Sequence, residues 1–188
     1  MSERAIVIGT SAGGVQALSR ILPRLPEALS MPILVVVHVP PRKPNALVEL
    51  FAKKCPLPVK EAEDKEPLAN GIIYLAPPNY HLLVETENSL ALSSDEAINH
   101  SRPAIDALFE TAADAFGPGL TGIVLTGANH DGAAGLKAVG LAGGTAIVED
   151  PASAEVPIMP AAALAACPTA EVMTLDQISN FLKETAAQ

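Results

Sequence analysis

Three reactive side chains stand just downstream of short apolar runs. Ser11 follows "AIVIG" within Gly9-Thr10-Ser11-Ala12-Gly13, His38 lies at the end of "PILVVVHV", and Asp131 follows "GIVLTGANH". A hydroxyl, an imidazole and a carboxylate are the composition of a nucleophilic triad, in which the imidazole takes the hydroxyl proton and the carboxylate orients the imidazole. The Gly-x-Ser-x-Gly spacing fits a strained strand-to-helix turn that presents a nucleophile. Two other readings of these glycines stand beside it: a phosphate cradle at a helix N-terminus, and a tight turn with no further role. His81, His100 and His130 compete with His38. His81 falls in a hairpin pattern and His100 in a polar loop, so neither is expected on a strand-end rim. His130 is the serious rival. Asp131, just before "GAAGL", also suits the N-cap of the next helix.

Other chemistries find no support. "GTSAGGV" departs from G-x-G-x-x-G, because Ser11 takes the place of the second glycine, and no G-K-[ST] is present. Neither H-E-x-x-H nor paired Cys-x-x-Cys occurs. "TGANHDG" lacks calcium-loop spacing. No metal or cofactor is expected. The formal net charge of −9 argues against a nucleic-acid partner. Aromatic residues make up only 3% of the chain, too few for a base-stacking platform. The two cysteines, Cys55 and Cys167, form no disulfide or zinc pattern, which favours a reducing cytoplasm. No window approaches the ~20 apolar residues of a membrane span, and "MSERAIVIG" lacks the apolar stretch of a signal peptide.

The elements that must position these side chains alternate between short β-rich runs and helical patterns, the mark of βαβ units on a parallel sheet. With 188 residues the chain suits one domain, large enough to bury roughly 70% of its unfolded surface. Strands are expected at "AIVIG", "PILVVVHV", "PVKEAE" (a short edge strand), "GIIYLAPP", "LTGIVLTG", "GTAIVED" and "AEVMT". Helices are expected at "VQALSRILPRL", "NALVELFAKKC" with lysines in its last turn, "RPAIDALFETAADAF" with Pro103 in its first turn, "DGAAGLKAVGLAG" and "PAAALAAC". Thr174 and Gln177 form a T-x-x-Q capping box for a final helix. "HLLVETENSLALS" alternates about a turn and reads as a hairpin. The fold class is therefore α/β: a single doubly wound, mostly parallel sheet with helices on both faces and an inserted β-hairpin. In such sheets ligands bind outside the carboxyl ends of the strands, at the switch in strand order. Ser11, His38 and Asp131 all fall on that rim.

"IGTSAGGVQAL", "VVVHVPP", "YLAPPNYH", "SRPAIDALF" and "LTGANHDGAAGL" occur in this order. Together they resemble the catalytic domain of the chemotaxis protein-glutamate methylesterases, from about Ala5 to near the C-terminus. The resemblance implies hydrolysis of glutamate methyl esters on the cytoplasmic helices of bacterial chemoreceptors, releasing methanol, with deamidation of receptor glutamines as a second activity. It places the family's serine on Ser11, its histidine on His38 and its aspartate on Asp131. Family members usually carry an N-terminal receiver domain. Here the first strand begins by about residue 4, so residues 1–188 are expected to form a stand-alone catalytic domain, regulated by a receiver protein in trans if by one at all. His130 occupies a position that varies in the family.

The expected chemistry is attack by Ser11 with His38 as base, an acyl-enzyme, and an oxyanion held by the N–H of Ala12 and, from the "GAN" turn, of Ala128. One such donor is typically worth about 3 kcal/mol. Arg102 is a candidate contact for an acidic receptor surface, or a solvated charge before a helix. The hairpin 81–92 is a candidate wall of the cleft. Two rival readings remain at this point: a non-catalytic α/β signalling module that holds a phosphate or nucleotide on "GTSAGG", and a retired esterase kept as a scaffold.

Overall fold

The computed structural model describes residues 4–38, 46–85 and 88–186. Strand β1 (Ala5–Thr10) lies between β2 (Ile33–Val37) and β7 (Leu120–Val124) at the centre of a seven-stranded sheet. Outward from β2 come β4 (Ile73–Leu75) and the edge strand β3 (Val59–Glu61). Outward from β7 come β8 (Thr145–Glu149) and β9 (Glu171–Met173). All six pairings are parallel. β1 and β2 are buried at every position, because helices cover both faces. That accounts for their unbroken apolar runs.

Alternation along the strands divides the core. Val7, Leu34 and Val36 face α3 (Ile105–Phe116), α4 (Ala133–Leu141) and α5 (Ile158–Ala166). Ile6, Ile8, Ile33 and Val35 face α1 (Gly14–Ile21), α2 (Ala46–Ala52) and α6 (Leu175–Ala186). The hairpin of β5 (His81–Val84) and β6 (Leu90–Ser93) forms its own two-stranded sheet. Leu82, Val84 and Leu90 pack into the α3 side of the core, and Val84 N–H donates to Thr111 Oγ1 on α3 at 3.1 Å. It is a buttress for that helix. The capping box is formed: Thr174 N–H donates to Gln177 Oε1 at 2.8 Å and Gln177 N–H to Thr174 Oγ1 at 3.3 Å.

Several local expectations are corrected. The expected strand 120–127 ends at Val124; beyond it Leu125 N–H still bonds Gly9 O, but Gly127 N–H turns to Val156 O. Pro103 precedes α3 instead of opening it, since Ala104 is the N-cap. Lys53 and Lys54 lie beyond the end of α2. Asp131 does not cap α4: the N-cap is Gly132, at φ 96°. Val39, Pro40, Pro41 and Asn45, parts of the expected second strand and its following helix, lie outside the described residues.

Candidate active site

Strand order reverses in the crevice between β1 and β7, and the three candidate residues gather there. The β1–β2 ladder ends at Thr10↔Val37, and the next bond, His38 N–H to Thr10 O at 3.0 Å, extends it. Ser11 and His38 are therefore the next pair in register, on strands about 4.8 Å apart. Ser11 N–H crosses the other way, to Thr126 O beyond β7, at 3.0 Å.

The Ser11 turn is less strained than a Gly-x-Ser-x-Gly nucleophile turn implies. Ser11 is absent from the positive-φ residues, and the left-handed position is Gly13, at φ 80°. A side chain on Gly13 would also meet Glu155 Oε2 at 2.8 Å. Gly9 serves packing instead: a Cβ there would lie 2.3 Å from Ile105 Cγ2 on α3. Thr126 ties the turn down. Its hydroxyl donates to Ala12 O at 2.8 Å and accepts Val156 N–H at 2.9 Å, while its carbonyl accepts the Thr10 hydroxyl at 2.7 Å. Its own N–H goes to the buried carboxyl of Glu149 at 2.8 Å. Burial pushes that carboxyl up, and Asp150 and Glu155 add to the effect against Thr126 N–H and Arg20.

His38 faces Asp131, with Nε2 at 2.9 Å from Oδ2, the carboxylate fully buried and the ring 11% exposed. The distance is that of a hydrogen bond, but Nε2 has no acceptor aligned with its N–H. The pair is a close polar contact without hydrogen-bond alignment. A proton placed on Nε2 would point toward the carboxylate and leave Nδ1 free to accept one. Nδ1 lies 3.5 Å from Ser101 Oγ. No hydrogen bond joins Ser11 Oγ to His38 among the described residues.

Asp131 sits at the meeting point of two helix N-termini. Its Oδ2 accepts Ile105 N–H at 2.7 Å, and its Oδ1 accepts Asp106 N–H at 3.1 Å and Gly132 N–H at 3.0 Å. It thus caps α3. Asp106, on α3, returns the arrangement: its Oδ1 accepts Gly132 N–H at 2.9 Å and Gly135 N–H at 2.7 Å, capping α4. Burial pushes Asp131 up, yet the facing His38 ring, the Ile105 and Asp106 N–H groups and Asn99 hold it below the ordinary aspartate range. Asp106 goes the other way, raised by burial and by the charge of Asp131 against its own hydrogen bonds. Two neighbouring carboxyls pushed apart in this way divide their roles, one anionic and one more readily protonated.

Asn99 carries no signal in the sequence, and Ser101 stands there only as the first residue of "SRPAIDALF", with no role assigned. They lie on the 98–101 turn, beside His100, in the polar loop expected to be away from the rim; the structure brings that turn onto it. Ile98 and Ser101 close it by mutual backbone hydrogen bonds at 3.1 and 2.9 Å. No spacing rule connects this turn to residues some thirty positions downstream. His81 is buried at the base of the hairpin, its Nδ1 accepting Ala104 N–H at 3.2 Å and its Nε2 contacting Glu96 O at 2.9 Å. His130 is exposed, so the ring against Asp131 is that of His38. Arg102 lies outside this cluster. Its Nη1 donates to Ser94 O at 2.9 Å and Asp95 O at 3.0 Å. Ala12 and Ala128 are exposed, and neither N–H has a backbone acceptor among the described residues.

Residues 6–182 match the family model described as CheB methylesterase. A Leptospira interrogans protein provisionally named protein-glutamate methylesterase/protein-glutamine glutaminase is 45% identical over 181 residues, covering 96% of this chain and 94% of its own. A Symbiobacterium thermophilum protein of that name is 33% identical over 188 residues, covering 100% of this chain but 52% of its own. The crystal structure of the Thermotoga maritima CheB methylesterase catalytic domain matches at a TM-score of 0.93 and 34% identity, covering 98% of this chain and 100% of that one.

Proposed function

The chain belongs to the CheB methylesterase family, and we propose that it hydrolyses glutamate methyl esters on bacterial chemoreceptors through Ser11, His38 and Asp131. Its relatives carry the double name methylesterase and glutaminase, so deamidation of receptor glutamines is part of the same proposal. The carrying observation is the buried Asp131 carboxylate 2.9 Å from His38 Nε2, with Ser11 next to His38 in the β1–β2 register.

The reaction follows from that placement. Ser11 Oγ attacks the ester carbonyl as its proton passes to His38 Nδ1. Asp131 keeps the proton on Nε2 and stabilises the imidazolium formed. The carbonyl oxygen, now negative, is met by Ala12 N–H at the positive end of α1, with Ala128 N–H as second donor. Collapse breaks the C–O bond, and methanol leaves with the Nδ1 proton. Water then attacks the acyl-enzyme and gives one proton to Nδ1, which passes it to Ser11 Oγ as the C–O bond breaks; the glutamic acid formed releases its remaining proton to solvent as the carboxylate. The remaining N–H groups of Arg102 are offered to an acidic receptor surface. Residues 6–182, those that match the family model, act as the catalytic domain in the cytoplasm. No described helix is long and apolar enough to cross a membrane.

The test is methanol release from methylated receptor membranes. Ser11→Ala should abolish it while circular dichroism and melting stay unchanged, and a fluorophosphonate should label Ser11 alone. Turnover by a folded Ser11→Ala protein, or labelling elsewhere, defeats the assignment.

A further inference from the structure

The 98–101 turn holds one side chain that touches both buried carboxylates. Asn99 Nδ2 donates to Asp131 Oδ1 at 3.0 Å and to Asp106 Oδ2 at 2.8 Å. An amide nitrogen carries two hydrogens, so each is spent on one aspartate. Asn99 sits at φ 52°, a left-handed position that asparagine tolerates better than most residues. The backbone conformation aims the amide at the pair.

We propose that Asn99 is a positioning residue: its amide, bridging Asp106 and Asp131, holds the Asp131 carboxylate turned so that Oδ2 faces His38. This deepens the proposed function and rests on His38–Asp131 acting in catalysis. Oδ1 of Asp131 is anchored by Asn99 and two backbone N–H groups, which leaves Oδ2 to be shared between Ile105 N–H and His38. Each anchor on Oδ1 resists rotation of the carboxylate about its χ2 bond, a broad and otherwise soft torsion. The second Asn99 hydrogen keeps Asp106 apart as a separate acceptor. Without Asn99 the two carboxylates still share Gly132 N–H but lose their side-chain bridge, and like charges so placed retain a proton between them.

The charged and titratable groups around Asp131 are few. His38 faces it from the end of β2, Asp106 and Glu110 lie on α3, and His130 is exposed on its own loop. His100 belongs to the turn that carries Asn99, Arg102 follows it, and His81 holds the α3 N-cap from β5. Only Asp106 shares a donor with Asp131.

Two substitutions separate positioning from mere support of the fold. Asn99→Gly removes the amide while accepting the left-handed backbone. It should lower kcat about 10- to 100-fold, the usual cost of losing a group that orients a primary site residue, with KM changed less than about threefold because substrate is untouched. The acid limb of kcat/KM should move to higher pH, since Asp131 must be anionic and the unbridged pair holds its proton longer. Asn99→Asp keeps the shape but donates only when protonated. It should be less active than Asn99→Gly at pH 8, with the gap closing as pH falls. Asp131→Asn is the reference, and loss of its activity shows that the underlying reading stands. If Asp131→Asn is inactive while Asn99→Gly keeps wild-type kcat and acid limb, the inference is overturned, whatever happens to the melting temperature. If Asp131→Asn retains wild-type activity, the failure belongs to the triad instead.

Discussion

Thr126→Val removes one hydroxyl while nearly preserving shape. Thr126 is 1% exposed, so water cannot replace the lost group freely. Three contacts disappear: the donation to Ala12 O at 2.8 Å, the longer one that competes for the same hydrogen at Val156 O, 3.3 Å away, and the acceptance of Val156 N–H at 2.9 Å. A buried partner left unsatisfied costs roughly 1–3 kcal/mol. Val156 is only half-buried and regains some solvent, so the low end applies to it. The total is about 2–3 kcal/mol, or a melting-temperature loss of roughly 4–12 °C at 2–4 °C per kcal/mol. Ala12 then loses the tie on its carbonyl, one peptide unit beyond the N–H proposed as oxyanion donor. If Ala12 N–H is the oxyanion donor proposed above, its displacement costs kcat, by up to about 100-fold for a shift near 1 Å. The assay pairs urea unfolding with steady-state methanol release at a temperature where the variant is fully folded. Expected are a lower urea midpoint with an unchanged m-value, and a fall in kcat with KM held. A variant within about 0.5 kcal/mol of wild type with kcat within threefold would show that the Ala12–Thr126–Val156 ties do not position the turn.

Two further outcomes follow from the packing and the buried charges. Gly9→Ala forces a methyl into Ile105, the first residue of α3 and a donor to Asp131; it should cost about 1–3 kcal/mol in urea titration and reduce methanol release, with a smaller stability loss in an Ile105→Ala background. Glu149 has a raised folded-state carboxyl, so the folded protein binds its proton more tightly than the unfolded chain. Its contribution is most favourable below the unfolded value and declines as pH rises through the window up to the folded one. Glu149→Gln keeps an acceptor for Thr126 N–H and should flatten the decline in stability as pH rises above the ordinary glutamate range; a urea-midpoint profile parallel to wild type there rejects the linkage.

Much of this molecule is legible along the chain. Unbroken apolar runs mark β1 and β2 as strands covered on both faces, and 3.6-residue spacing marks α3, because burial imposes those periods locally. Ser11, His38 and Asp131 could be singled out for a related reason: each closes a strand or its following turn, and strand ends in a doubly wound sheet share one rim. What surrounds them could not be read this way. Asp131 looks like the cap of the helix that follows it, yet it caps α3, while Asp106 caps α4. That exchange exists only because two helices separated by a strand bring their N-termini together. Asn99 and Ser101 sit in a polar turn with no periodic signal, and the path of the chain after the hairpin brings them to His38 and Asp131. Gly9 and Gly13 look alike in sequence; one leaves room for Ile105 and the other takes a left-handed φ. Local pattern determined which residues are strand, helix and candidate nucleophile. Tertiary structure decided which nitrogen of His38 meets the carboxylate and which side chains hold that carboxylate in place, because those contacts depend on approach across the sheet and not on neighbours along the chain.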